Sequence, residues 1–197
     1  MEPSKEKKLE RVERWFVVAL SLWAASAFVA ASTGAIAKVP RLFLGPLLLA
    51  ETIIPILVYY LSESFRAYIS SIDLKHLTIF HLWRLLAGFT FVSYGIHHLL
   101  PETFVHNAGF GDILVGLLVP VILILPNGIR KYIVFHIIGL LDFILALGTG
   151  ITLTLARAPL IENLTTYPII LIPLLGVPVS GALHVMTIDV ALRKLRT

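Results

Sequence analysis

The sequence predicts an all-α integral membrane bundle of six transmembrane helices with both termini cytoplasmic, and three observations predict it. The 197 residues are 57% hydrophobic and 14% charged, with a mean hydropathy of +0.89, which lies outside the range of soluble domains. Six apolar runs, each bounded by charge, Gly or Pro, follow one another with short connections. The cations fall on alternate sides of those runs. Twelve of the 16 Lys and Arg lie on one side: Lys5, Lys7, Lys8, Arg11 and Arg14, then Arg66 and Lys75, then Arg130 and Lys131, then Arg193, Lys194 and Arg196. The other side holds Lys38, Arg41 and Arg157, and Arg84 sits within a run. Such asymmetry places the richer side in the cytoplasm.

Residues 1–14 form a basic cytoplasmic segment in which Glu6, Glu10 and Glu13 alternate with the cations, a pattern unlike a cleaved leader, so the first helix, 15–37, is retained. Ser26, Ala30 and Gly34 give it a small-residue stripe suited to close helix packing. The second helix covers 42–62 and carries Glu51; the third covers 77–100 and carries His81 and Arg84, with His97 and His98 at its outer end. The fourth, 112–125, is short, bordered by Gly109 and Gly111 and closed by a Pro126-Asn127-Gly128 turn. The fifth, 132–155, carries His136 and Asp142. Pro168, Pro173 and Pro178 recur in the sixth, 168–192, which is therefore a proline-broken helix containing His184. The transmembrane domain is 15–192 and the cytoplasmic tail 193–197.

Several function classes are excluded. The formal charge of +4 is accounted for by cytoplasmic anchoring, so nucleic acid is not a partner. No Cys is present, which removes disulfides and thiolate metal sites. No phosphate-binding glycine loop, dinucleotide fingerprint or His-Glu-x-x-His pattern occurs, and the chain reads as no enzyme of those types.

The candidate site residues are the ionisable groups within spans, which are costly there and functional by default. At 1.5 Å per residue, Asp142 and Glu51 lie ~18 Å above the inner boundary and Arg84 ~12 Å. Glu51, Arg84 and Asp142 are thus expected to meet as a midplane proton or cation site. His81, His136 and His184 lie ~7–12 Å from the inner boundary on three spans, a layer able to ligate a divalent metal or haem b, or else to hydrogen-bond between helices. His97, His98 and Asp112 form a candidate outer cation-access site, with helix capping as the alternative role for Asp112.

The pattern Arg84…Gly88, Gly95, Leu100-Pro101, Ala108-Gly-Phe-Gly-Asp-Ile113, Gly116 and Gly139-Leu-Leu-Asp142 resembles an uncharacterised family of small polytopic prokaryotic membrane proteins. The Arg84 to Gly95 spacing is also similar to DoxX-type membrane proteins. The first resemblance implies a membrane location and no particular activity. Three functions stay open: a proton-coupled small-solute or ion transporter or channel, a haem- or metal-binding redox protein, and a noncatalytic assembly subunit. The expected surroundings are the lipid bilayer of a prokaryotic plasma membrane, an unknown solute or ion, and a second copy or partner membrane subunit.

Overall fold

A computed structural model describes residues 5–126 and 128–196 of the chain. Residues 1–4, Asn127 and Thr197, which the expected N-terminal segment, inner turn and tail include, lie outside the described residues. Among the described residues the protein is 86% helical without strands, an all-α bundle, and six helices are long and apolar enough to cross a membrane: Glu6–Ser32, Arg41–Leu61, Leu74–Ile96, Glu102–Ile124, Ile129–Leu155 and Ile172–Arg196. These are the first to sixth spans below.

Burial runs opposite to that of a water-soluble domain. Arg84 and Asp112 are 3% and 5% exposed, whereas Leu86 and Ile124 on the same spans are 73% and 85% exposed. An apolar exterior around a polar interior suits a lipid solvent, which makes no demand to hide Leu or Ile. The interior divides into layers. Tyr59, Leu77, Val119, Phe135, Met186 and Val190 belong to one apolar cluster toward the end of the bundle at which the described chain both begins and ends, labelled inner here for its richer share of cations, the opposite end being labelled outer. Ala87, Phe91, Phe104, Ala108 and Ile169 belong to another toward the outer end. The polar residues of the third to sixth spans lie between them.

Helix ends depart from the sequence reading for identifiable reasons. The first span stops at Ser32, because Gly34 takes the left-handed conformation (φ 69°) and its N–H returns to the Ala31 carbonyl at 3.1 Å. Its buried small residues are Ala27 and Ala31, one position on from the expected stripe, whose Ser26 is exposed. Between the second and third spans, Glu63–Ser71 forms a short helix capped by Ser62 Oγ, which accepts from Phe65 N–H at 3.2 Å. Phe65 and Tyr68 of this helix pack on Phe16 at 5.5 and 6.0 Å between ring centroids, tying the inner half of the first span to the bundle. Inner-side cations also close helix ends: Arg66 donates to the Tyr60 carbonyl at 3.1 Å and Lys131 to the Leu125 carbonyl at 2.7 Å.

Two differences matter for the site. The fourth span begins at Glu102 rather than at residue 112, so Gly109 and Gly111 lie inside it. Within a membrane bundle glycine permits close helix approach and need not end a helix. A Cβ on Gly88 would lie 2.6 Å from the Gly109 carbonyl oxygen, so the third and fourth spans meet backbone to backbone there. The sixth span starts at Ile172 rather than at residue 168, and its proline-rich segment opens a wide π turn at Ile172–Gly176, which contains Pro173, before α-helix follows at Val177–Arg196. A second π turn, Val105–Gly109, widens the fourth span immediately before Asp112. Both wide turns border the polar layer.

Candidate functional site

Arg84 is the hub of the polar layer. It follows one short turn after His81 on the third span, and its guanidinium reaches three other spans. Nε donates to Asp112 Oδ1 at 2.6 Å, and Nη2 donates to Asp142 Oδ2. Nη1 faces the Gly139 carbonyl at 3.4 Å and His184 Nε2 at 3.3 Å. One cation therefore serves two carboxylates from different helices, and the trio carries an excess of one negative charge when both are ionised.

Glycines make this approach feasible. A Cβ on Gly111 would collide with Asp142 Oδ1, and one on Gly139 would collide with the His184 ring. A Cβ on Gly116 would stand 2.6 Å from Leu85 Cγ. The glycines near Arg84, Asp112 and Asp142 in the sequence are thus the places where neighbouring helices admit the site's own side chains.

Arg84 also orients the histidines. A guanidinium only donates, so His184 Nε2 accepts from Arg84 and His184 Nδ1 carries the proton. Nδ1 then donates to His136 Nδ1 at 2.9 Å, which leaves the His136 proton on Nε2. That N–H points to Thr78 Oγ1 at 3.3 Å, and Thr78 donates to the Leu74 carbonyl at 2.8 Å. The result is a one-directional chain of hydrogen bonds, from mid-span Arg84 to the inner end of the third span, with both histidines neutral. His81 stands beside the chain: it stacks on His184 with ring centroids 4.0 Å apart and 11° between planes, and neither of its buried nitrogens has a partner among the described residues.

His81, His136 and His184 each offer a nitrogen within 4.8 Å of the others, but their arrangement does not fit a metal. Ligating imidazoles aim in-plane lone pairs at one point ~2.0–2.1 Å away. The stacked rings of His81 and His184 aim theirs side by side. Both nitrogens of His184 are already committed, and a cation there would also face the Arg84 guanidinium. Direct ring contact with each other and with Phe135, 5.8 Å from His81 and 5.0 Å from His136, leaves no slot for a porphyrin.

The other expected site residues lie elsewhere. Glu51 is half-buried and makes no ion pair among the described residues; its neighbour is the Trp23 indole, and neither Glu51 Oε2 nor Trp23 Nε1 completes a hydrogen bond. Asp112 separates from His97 and His98: it is ~15 Å into a helix that starts at Glu102, whereas both histidines are exposed at the outer end of the third span. His97 Nδ1 is held by the Ser93 carbonyl at 2.8 Å.

A cavity of about 190 Å³ leads to the hub. Its outer rim includes Ile36, Arg41, Glu162 and Thr165, in the connections at the outer ends of the spans, and its deep end includes Trp83, Arg84, Asp112 and Ser180. The wall between is mainly apolar, with Leu48, Phe104, Phe143 and Leu174 among it. Trp83 donates its indole N–H to Ser180 Oγ at 2.9 Å, fixing the aromatic ring over the wide turn of the sixth span.

Residues 42–192 match the family described as a domain of unknown function, DUF8737, and the chain belongs to that family. The match contains every residue of the Arg84 hub and of the histidine chain, and begins after the first span. No curated protein and no solved structure matches the chain.

Proposed function

We propose that this member of the DUF8737 family is a proton-coupled transporter of a small solute, with Asp112, Arg84 and Asp142 as its exchange site. The single observation that carries the reading is charge balance at the end of an open cavity: two carboxylates from separate helices share one guanidinium. The unmatched negative charge calls for an exchangeable proton or a cationic solute, and the cavity supplies the path from the outer side. A proton on Asp112 or Asp142 neutralises the trio; its departure leaves a charge that a solute can balance. Arg84 keeps the two acids in contact, so the third, fourth and fifth spans respond together. The wide turns at Val105–Gly109 and Ile172–Gly176 border this centre and supply backbone able to change its pairing as the site changes charge.

The orientation belongs to the same proposal. Twelve inner cations against three outer ones support cytoplasmic termini in a prokaryotic plasma membrane, with the cavity opening away from the cytoplasm.

The test is proton uptake by vesicles containing the purified protein, driven by an imposed inside-negative potential and read with a trapped pH dye. Uptake should exceed that of protein-free vesicles and fall to their level in Asp112→Asn and Asp142→Asn. Full uptake in both variants removes the carboxylates from the mechanism.

A further inference from the structure

We infer that the solute accepted at this site is a small organic cation: a protonated amine carrying an apolar, preferably aromatic, body. This rests on the transport reading above and names its substrate class. Four features of the cavity converge on it. The first is hydrogen-bond polarity. Asp112 lines the deep end, and while Oδ1 accepts from Arg84, Oδ2 has no partner among the described residues. The free position is an acceptor, which selects a ligand that donates. The second is that Arg84, although it also lines the cavity, turns each of its three nitrogens to a protein acceptor and uses four of its five N–H groups there. Its charge is already shared by two carboxylates, so an anionic ligand would meet a centre of net negative charge.

The third feature is the wall. Trp83, Phe91, Phe104 and Phe143 contribute to it, and aromatic faces attract cations as well as apolar groups. The remaining lining is largely aliphatic, so a strongly hydrated inorganic ion would lose its water without replacement ligands, whereas an amine with an apolar body would not. The fourth is size. At about 190 Å³ the cavity is smaller than the ~300–1,000 Å³ of drug-sized sites, which restricts the occupant to roughly a single ring with its ammonium.

Binding and proton occupancy are then mutually exclusive at the carboxylates. The charged or titratable groups facing Asp112 are Arg84 from the third span and Asp142 from the fifth, with His184 of the sixth behind Arg84; Arg41 and Glu162 line the outer rim. Ammonium in the cavity replaces the proton that balances Asp112 and Asp142. Lower pH therefore weakens binding, and each amine bound at low pH releases a proton.

The experiment compares benzylammonium, benzyl alcohol and benzoate, which share a ring and differ in charge, by calorimetric titration of the full chain in lipid nanodiscs. Benzylammonium should bind at least about tenfold more tightly than benzyl alcohol, with benzoate weaker still, and acidification should weaken benzylammonium alone. Asp112→Asn should remove the preference for the cation. Leu48→Trp, which fills the cavity from a wall on the second span, a helix that carries neither Asp112 nor Asp142, should remove binding of both benzylammonium and benzyl alcohol. Equal affinity for the amine and the alcohol would make the cavity merely apolar and overturn the inference; tightest binding of benzoate would make Arg84 the recognising group and overturn it too. No binding of any probe, with vesicle proton uptake still dependent on Asp112 and Asp142, sinks the substrate class and leaves the exchange site standing. Selective benzylammonium binding, with vesicles loaded with benzylammonium taking up no more protons on dilution than protein-free vesicles do, sustains the cation site and ends the coupling.

Discussion

Glu51 and Asp112 lie at the same depth, each ten residues into a span that starts at the outer side, Arg41–Leu61 and Glu102–Ile124, yet the bundle treats them in opposite ways. Asp112 is 5% exposed and shares Arg84 with Asp142. Glu51 is half-buried beside Trp23 of the first span and has no counter-charge among the described residues. Depth alone therefore does not assign a carboxylate its role. Helix azimuth and the closeness of neighbouring backbones do. Around Asp112 those backbones are close because Gly88, Gly109 and Gly111 remove the side chains that would hold them apart, whereas no such glycine set surrounds Glu51.

The largest expected effect comes from deleting the shared cation. Arg84→Met leaves Asp112 and Asp142 facing each other without compensation, and breaking a buried pair in this way costs about 3–5 kcal/mol. Thermal unfolding in detergent should show a large loss of stability. Adding Asp142→Asn to Arg84→Met should recover much of that loss, because the damage is a matter of charge count. A double variant no more stable than Arg84→Met would mean that Arg84 acts through packing, and would erase the contrast with Glu51.

A smaller effect tests the glycines. Gly111→Ala forces a methyl against Asp142, and overpacking of this kind costs about 1–3 kcal/mol. Gly148→Ala is the matched control, since nothing lies within 4 Å of the added carbon, and its stability should stay within about 0.5 kcal/mol of the parent. The pair separates close approach at the hub from the general effect of adding a methyl to a membrane helix. Equal melting temperatures for the two variants would contradict the packing described for Gly111.

How much of this was legible in the chain follows the same division between depth and azimuth. Rise per residue places Asp142 and Arg84 ~18 and ~12 Å above the inner boundary and the three histidines in a layer nearer to it, and the structure joins the two layers: Arg84 meets Asp142 and His184, His184 meets His136, and His81 stacks on His184. Rise per residue also places Glu51 level with Asp142, and no periodicity in the second span shows that its face turns away from the site. Asp112 was displaced by a different error: Gly109 and Gly111 read as a helix border, as they would in water, and moved the start of the fourth span to the very residue that the helix carries inward. The signal that could have corrected it lay in the same glycines, since Gly88, Gly109, Gly111, Gly116 and Gly139 cluster in sequence around Arg84, Asp112 and Asp142. Spaced small residues beside ionisable ones mark a crossing of helices at a polar centre. The tautomers of His136 and His184 were beyond any sequence reading, because they depend on Arg84 donating to one particular nitrogen.

The smallest predicted effect is on the other side of the comparison. Glu51→Gln keeps the size of the side chain and removes a charge that has no ionic partner among the described residues, so stability should change by about 0.5 kcal/mol or less. Vesicle proton uptake should persist, since the exchange proposed for Asp112 and Asp142 does not route through the second span. The glutamine amide can also donate, but it faces the Trp23 indole, which donates too, so the substitution gains no new partner there. If Glu51→Gln instead abolished uptake while Asp112→Asn retained it, the roles of the two acids would be exchanged. The half-buried carboxylate beside Trp23, rather than the one paired with Arg84, would then be the group that takes and releases the proton.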